Sequence, residues 1–319
     1  MKVILLCPEH VFASALTGVI DILNVANKVA GKTVFCWQTV ALSGQKSVMS
    51  SQGLEFVCHA EFSALADADV VIWLGSHFSS ELVLWQQCQQ VKAQLNKHGI
   101  EFHPATYQLA GCCGTALLAT AGLLDKKQFT CSWWLTPFFT RYYPVLKPNS
   151  QKVTEQSGMV YTAGAAHSYL HLMLRFITDV LGSEVAKTIA AWLAIPNEQA
   201  SQNEFVQLSG FLQHRDAQLL KAQHHISDNL DVSHSLQSLA KQACMSERTL
   251  IRRFKQHTSM TPFEYVRLAR LVRTKQLLHS TNLSVEQIAN QVGYQDSQAL
   301  AKQYKKHYNQ SLNRVRGSS

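Results

Sequence analysis

No two cysteines among the 319 residues stand in C-x-x-C spacing, which removes the commonest zinc and dithiol signatures. No apolar run is long enough to cross a bilayer. The longest, Leu109 to Leu124, has sixteen residues broken by glycine and threonine, where a spanning helix takes about 20. The opening Met1 to Pro8 is too short an apolar stretch for a secretory signal, and a proline ends it, so a buried first strand is expected instead. With no signal, the eight cysteines (7, 36, 58, 88, 112, 113, 131 and 244) are expected as reduced thiols, mostly small buried hydrophobes. These absences lead to the expectation of a soluble, cytoplasmic protein with no membrane partner, no metal and no cofactor.

The first 225 residues also lack any charge excess: 15 Lys and Arg face 15 Asp and Glu. Residues 226–319 carry 14 Lys and Arg against 6 Asp and Glu, so the net charge of +8 belongs to the tail alone. A neutral front and a basic tail suggest that one end meets a polyanion.

The tail holds an internal repeat. Leu236, Leu239, Ala240, Gln242, Ala243 and Met245 line up with Val285, Ile288, Ala289, Gln291, Val292 and Tyr294 at an offset of 49. One extra residue follows in the second copy. Leu250, Arg252, Phe254, Lys255 and His257 then match Leu300, Lys302, Tyr304, Lys305 and His307 at an offset of 50. Each copy reads as a short helix, a tight turn and a second helix. Gly293 suits one turn, Ser246 is an N-cap in the first copy, and Ser284 to Gln287 is a capping box. Thr261, Pro262 and Glu264 start a connecting helix that runs to about His279, with Tyr265, Leu268, Ala269 and Val272 on one buried face.

These residues resemble the AraC/XylS-type DNA-binding domain over 226–319. The resemblance rests on Leu239-Ala240, Met245 to Leu250, Arg253-Phe254-Lys255, Thr261 to Tyr265, Arg270, Leu277-Leu278, Ile288-Ala289 and Val292-Gly293-Tyr294. It departs at the end, where the family usually has Phe at 300, 304 and 308, Gly at 309 and Pro at 312. An all-α double helix-turn-helix domain on double-stranded DNA is implied. On the first reading helix, about 247–257, Arg248 and Arg252 share a face with Ile251 beside them; arginine bonds both guanine acceptors, and isoleucine packs on a thymine methyl. Ser297, Gln298 and Lys302 occupy the matching face of the second. Leu250, Phe254, Leu300 and Tyr304 form the inward faces. Lys255, with Arg253, Lys305 and Lys306, suits phosphates, which give affinity without sequence information.

The front alternates strands and helices: Val3 to Leu6, Ala15 to Val29 (helix), Val34 to Leu42, Leu54 to Cys58, Val70 to Leu74, then Glu81 to His98 (helix). That order implies an α/β three-layer sandwich with a mostly parallel, flavodoxin-like sheet. Gln108 to Ala119 has the layout of a nucleophile elbow: a strand end, Cys112 among small residues, then an Ala- and Leu-rich helix. Two buried structural cysteines in a small-residue helix explain the same spacing.

The wider stretch resembles the class I glutamine amidotransferase-like superfamily in its PfpI-type branch. The resemblance is carried by Cys112-x-Gly114, Ala119 to Asp125, Trp133 and Tyr143-Pro144, with Gly18, Asn27 and Thr162-Ala163-Gly164. Together the halves resemble the GlxA-type, or amidase-like, transcriptional regulators. The expected organisation is a sensor and dimerisation domain over 1–195, a helical linker over 196–225 and the DNA-binding domain over 226–319.

The resemblance implies a regulator, more often an activator, controlled by a small-molecule effector. It also implies a homodimer, RNA polymerase as a further partner and a place on the nucleoid. Cys112 takes the nucleophile position, but Ser132 stands where the family often has histidine. About Ala15 stands where enzyme relatives have an acid. A thiol without a base or charge partner is a poor nucleophile, so no enzyme activity is expected. The alternative is a cysteine-dependent amidohydrolase with a DNA-binding tail. Trp73, His77, Cys112 and Trp133 are the candidate effector pocket, since ligands of open α/β sheets bind at the carboxyl ends of strands. The tryptophans suit a quaternary amine by their π faces, or equally the core.

Overall fold

A computed structural model describes residues 1–196, 201–212 and 214–313. The chain divides into two compact units, Met1–Gln202 and Asn203–Ser319.

The first unit is built on strands β1 (Lys2–Cys7), β2 (Cys36–Ala41), β3 (Ser47–Met49), β4 (Glu55–Val57), β5 (Val70–Trp73), β6 (Tyr107–Gly111), β7 (Thr154–Ser157) and β8 (Val160–Ala163). Its helices are α1 (Ala13–Ala30), α2 (Glu81–His98), α3 (Gly114–Thr120), α4 (Thr136–Tyr142), α5 (Tyr169–Leu181) and α6 (Ser183–Trp192). Six strands form one sheet in the order β2-β1-β5-β6-β8-β7, parallel except for the edge strand β7. Alternation along β1 divides the core: Val3, Leu5 and Cys7 pack with residues of α1, α5 and α6, and Ile4 and Leu6 with residues of α2, α3 and α4. Three layers result, the arrangement that a strand apolar on both faces requires. Helix α2 has the expected bounds because Ser80 caps its first turn, accepting from the Val83 N–H, and Gly99 ends it in the left-handed region. The segment expected as the third strand, Leu54 to Cys58, instead pairs antiparallel with β3 in a separate two-stranded ribbon. Glu55 and Val57 are exposed on it, which a central strand does not tolerate.

The second unit is all helical: α7 (Ala217–Asp228), α8 (Leu236–Gln242), α9 (Glu247–Thr258), α10 (Pro262–Ser280), α11 (Val285–Gln291) and α12 (Ser297–Tyr308). The offset of 49 carries α8 onto α11, and the offset of 50 carries α9 onto α12, end to end. Ser246, Thr261 and Ser284 cap their helices as the sequence indicated. The backbone repeats too. Cys244 and Gly293, at equivalent places in the two turns, both have positive φ (51° and 77°), and Ser259 and Asn309 (59° and 56°) end α9 and α12 alike. Asn309 therefore does the work of the missing family glycine, as asparagine tolerates this region. Leu312, in place of the family proline, is buried.

The polar stretch 196–225 is only partly a connector. Its residues 197–200 and 213 lie outside the described residues, as do 314–319 of the tail. Helix α7 begins within it and buries Leu219, Ala222, Gln223 and Ile226.

Candidate nucleic-acid interface and cysteine site

Helices α9 and α12 are each amphipathic, with Leu250, Phe254, Leu300 and Tyr304 fully or almost fully buried. Inward packing fixes the outward faces. Arg248, Ile251, Arg252 and Lys255 are all exposed on α9, Ile251 at 37%. On α12, Gln298 and Lys302 are exposed and Ser297 half-buried. The two faces that the repeat predicts are thus both free of the core.

Arg253 does not join them. Its guanidinium Nη1 donates to Asp216 Oδ1 (2.8 Å) and Gln218 Oε1 (3.0 Å), and Asp216 in turn caps α7 by accepting from the Leu219 N–H (3.1 Å). Burial pulls the Asp216 carboxyl upward, but the Leu219 N–H and the Arg253 charge outweigh it and hold the group below its usual range. Arg253 is therefore a structural tie rather than a phosphate contact. Lys255 lies 3.8 Å from Glu264, a loose pair that leaves its ammonium half-exposed.

Arg270 is a mark of resemblance in the sequence, on the connecting helix but off its buried face. Its guanidinium donates to the carbonyls of Gly293 (2.7 Å) and Val232 (2.9 Å) and lies 5.8 Å from the Tyr294 ring centre. One side chain on α10 thereby joins the turn of the second copy to the segment that leads into the first.

In the first unit Cys112 sits on the turn between β6 and α3 with φ 54°, the strained position of an elbow. Its N–H donates to the Gly164 carbonyl (2.9 Å). The elbow is possible because Gly114 lies against the Trp73 carbonyl, where any Cβ would collide with backbone. The Cys112 thiol is lowered in pKa, chiefly by a hydrogen bond from the Cys113 thiol, which outweighs burial with help from the Cys113 N–H. Cys113 is raised by the same bond and by burial. Ser132, fully buried, donates to the Gly164 carbonyl (3.0 Å).

Beside Cys112 is a cavity of about 20 Å³ walled by Phe12, Ala15, Val19, Tyr169, Leu172 and Met173. That is the room of one water. No carboxylate or imidazole lines it, and Ala15 is indeed on its wall. Trp73 also contributes to the wall, but its indole is fully buried, donates to Gln108 Oε1 (2.8 Å) and meets Phe102 edge-on. It is core, not a π face open to a ligand. His77 is exposed and lies edge-on to Phe12, and Trp133 is half-buried; neither lines the cavity.

The helix-turn-helix domain family matches residues 239–318. The chain is 25% identical over 297 residues to the HTH-type transcriptional regulator GbdR of Pseudomonas aeruginosa, covering 92% of this chain and 78% of that one. It is 26% identical over 302 residues to the HTH-type transcriptional regulator GlxA of Rhizobium meliloti, covering 93% and 90%. The tail is a helix-turn-helix domain, and both regulators match the front unit as well as the tail. The chain is a DNA-binding transcriptional regulator. A solved structure, that of a putative transcriptional regulator protein from Vibrio parahaemolyticus, shares the fold of the front unit at 16% identity and a TM-score of 0.50, over 60% of this chain and 98% of that one. Among the described residues no helix is long and apolar enough to cross a membrane, and no group of His, Cys, Asp and Glu is arranged to hold a metal.

Proposed function

We propose that this regulator reads DNA with Arg248, Ile251, Arg252 and Lys255 on α9 and with Ser297, Gln298 and Lys302 on α12. In this reading the front unit is a non-catalytic sensor of a small molecule. The observation that carries the proposal is the pair of equivalent outward faces left free when two copies of one helical unit bury their equivalent inward faces. Absence of catalysis is supported by the apolar wall around Cys112: Ala15 and Ser132 supply neither a base nor a charge partner. An effector larger than one water enters by displacing that wall, with Cys112, His77 and Trp133 the residues to follow. The organisation 1–195, 196–225 and 226–319, dimerisation through the front unit, activation and contact with RNA polymerase complete the proposal. A dimer would place four reading helices on a repeated or inverted site.

The test is a selection from random DNA with the full chain. Arg252→Ala should relax the preference at one base position, costing about 1–3 kcal/mol there. Equal weakening on all sequences would reduce the protein to a general polyanion binder. In parallel, Cys112→Ser should keep promoter response with no amide hydrolysis in either protein; turnover in the wild type that the serine variant loses would restore the amidohydrolase reading.

A further inference from the structure

Gln202, in the last part of the first unit, comes from a polar stretch that composition alone reads as a solvated connector. Its side chain is almost entirely buried, at 1% exposure. The carboxamide Nε2 lies 2.8 Å from the Lys152 carbonyl, 3.0 Å from those of Cys131 and Ser150, and 3.3 Å from Thr130 Oγ1. Oε1 accepts from the Ala165 N–H at 3.1 Å. The backbone is held as well: the Gln202 N–H and the Ser201 hydroxyl both donate to the Gln151 carbonyl, at 2.7 and 3.0 Å. Gly164 completes the recess, since a Cβ there would overlap the carboxamide.

We infer that Cys131, Ser150, Lys152, Gly164 and Ala165 form a primary-carboxamide binding site, which the chain fills in cis with Gln202. The donor and acceptor arrangement selects this group. A carboxylate would set negative oxygen against three carbonyls. An ammonium would leave the Ala165 N–H unpaired, and a buried unpaired donor is costly. A primary amide satisfies both sides, its two hydrogens shared among a surplus of acceptors. The site is continuous with the cysteine elbow, because the Gly164 carbonyl accepts from both the Cys112 N–H and the Ser132 hydroxyl. A ligand that moves Gly164 therefore moves the floor of the recess. Tethering gives Gln202 a high effective concentration, so a free amide competes poorly in the wild type and binds when the side chain is removed.

The experiment uses the full-length protein and thermal unfolding, a readout independent of any effector or DNA. Gln202→Ala should lower the Tm of the front unit by several degrees. Acetamide at tens of millimolar should return part of that loss in the variant and leave the wild type unchanged; acetate should do neither. A rise in both proteins, a rise in neither, or an equal rise with acetate overturns the inference. A second arm stays informative even where Gln202→Ala folds poorly. Gly164→Ala should destabilise the wild type, yet cost much less when added to Gln202→Ala, because the Cβ then has room. Additive losses would mean that Gly164 and the carboxamide are not coupled and would sink the proposal.

Discussion

Arg252 and Arg253 are adjacent and chemically identical, and the helix sends them to different tasks. At 100° apart, one points to solvent and the other to the cap of α7. Arg253→Ala should cost about 1–2 kcal/mol in urea unfolding, through loss of a charge-assisted bond to Asp216. It should leave the salt dependence of DNA binding unchanged, as measured by titrations at several ionic strengths. Sequence could not separate the two, because the partner of Arg253 lies 37 residues away, at the cap of a helix whose polar composition gives no hint of packing. Trp73 was ambiguous for a related reason: a tryptophan at a strand end is equally suited to core or ligand. The answer lay in Gln108 on the neighbouring strand, which the register sets level with Val71, two residues before Trp73.

At the scale of elements the reading of the tail was close to complete. A repeat with a stated offset fixes four helices at once, and polar caps mark their starts. What the repeat did not disclose is that the two turns share a left-handed residue while only one uses glycine. Cys244 has no evident need for its side chain, which is exposed. Cys244→Gly should therefore stabilise the second unit by about 1 kcal/mol, seen as a rise in the denaturant midpoint. Gly293→Ala should do the reverse and more strongly, since a Cβ there meets the Leu230 carbonyl and the Arg270 guanidinium. The front unit was legible wherever a strand is buried on both faces, as β1 and β5 are. It was less legible at β4, whose short apolar alternation serves a half-exposed ribbon as well as a sheet. The elbow was legible from small residues around Cys112, but the filled recess beside it was not. Carbonyl groups leave no trace in side-chain identity.

At the scale of the whole molecule, acid acts through buried imidazoles, and these lie in the second of the two units. In the second, burial first and then the charge of Arg267 push the His307 imidazole down to about 4 from an ordinary 6.5. The folded unit thus resists a proton that the unfolded chain accepts. Stability is full above about 6.5 and declines as the pH falls toward 4. His214 and His234, also lowered chiefly by burial, add in the same direction. Thermal unfolding of the full chain should show the second unit's transition moving to lower temperature between those limits, and His307→Gln should flatten the slope. A slope that survives the substitution would assign the effect to the other two histidines. The charge of the tail predicts its own dependence on salt, but the front unit, being neutral in sum, should contribute none.

The seating of Gln202 also bears on where this protein can be cut. A dissection that follows composition would sever the chain near 195, at the onset of the polar stretch, and would send Ser201 and Gln202 away with the wrong fragment. The front piece would then carry an open nest of carbonyl groups beside its cysteine. A cut after 202 leaves that nest closed, and the next residue, Asn203, donates to the His307 carbonyl within the second unit. The seam in the fold lies at a peptide bond between two anchored amides, seven residues beyond the place where the sequence changes character.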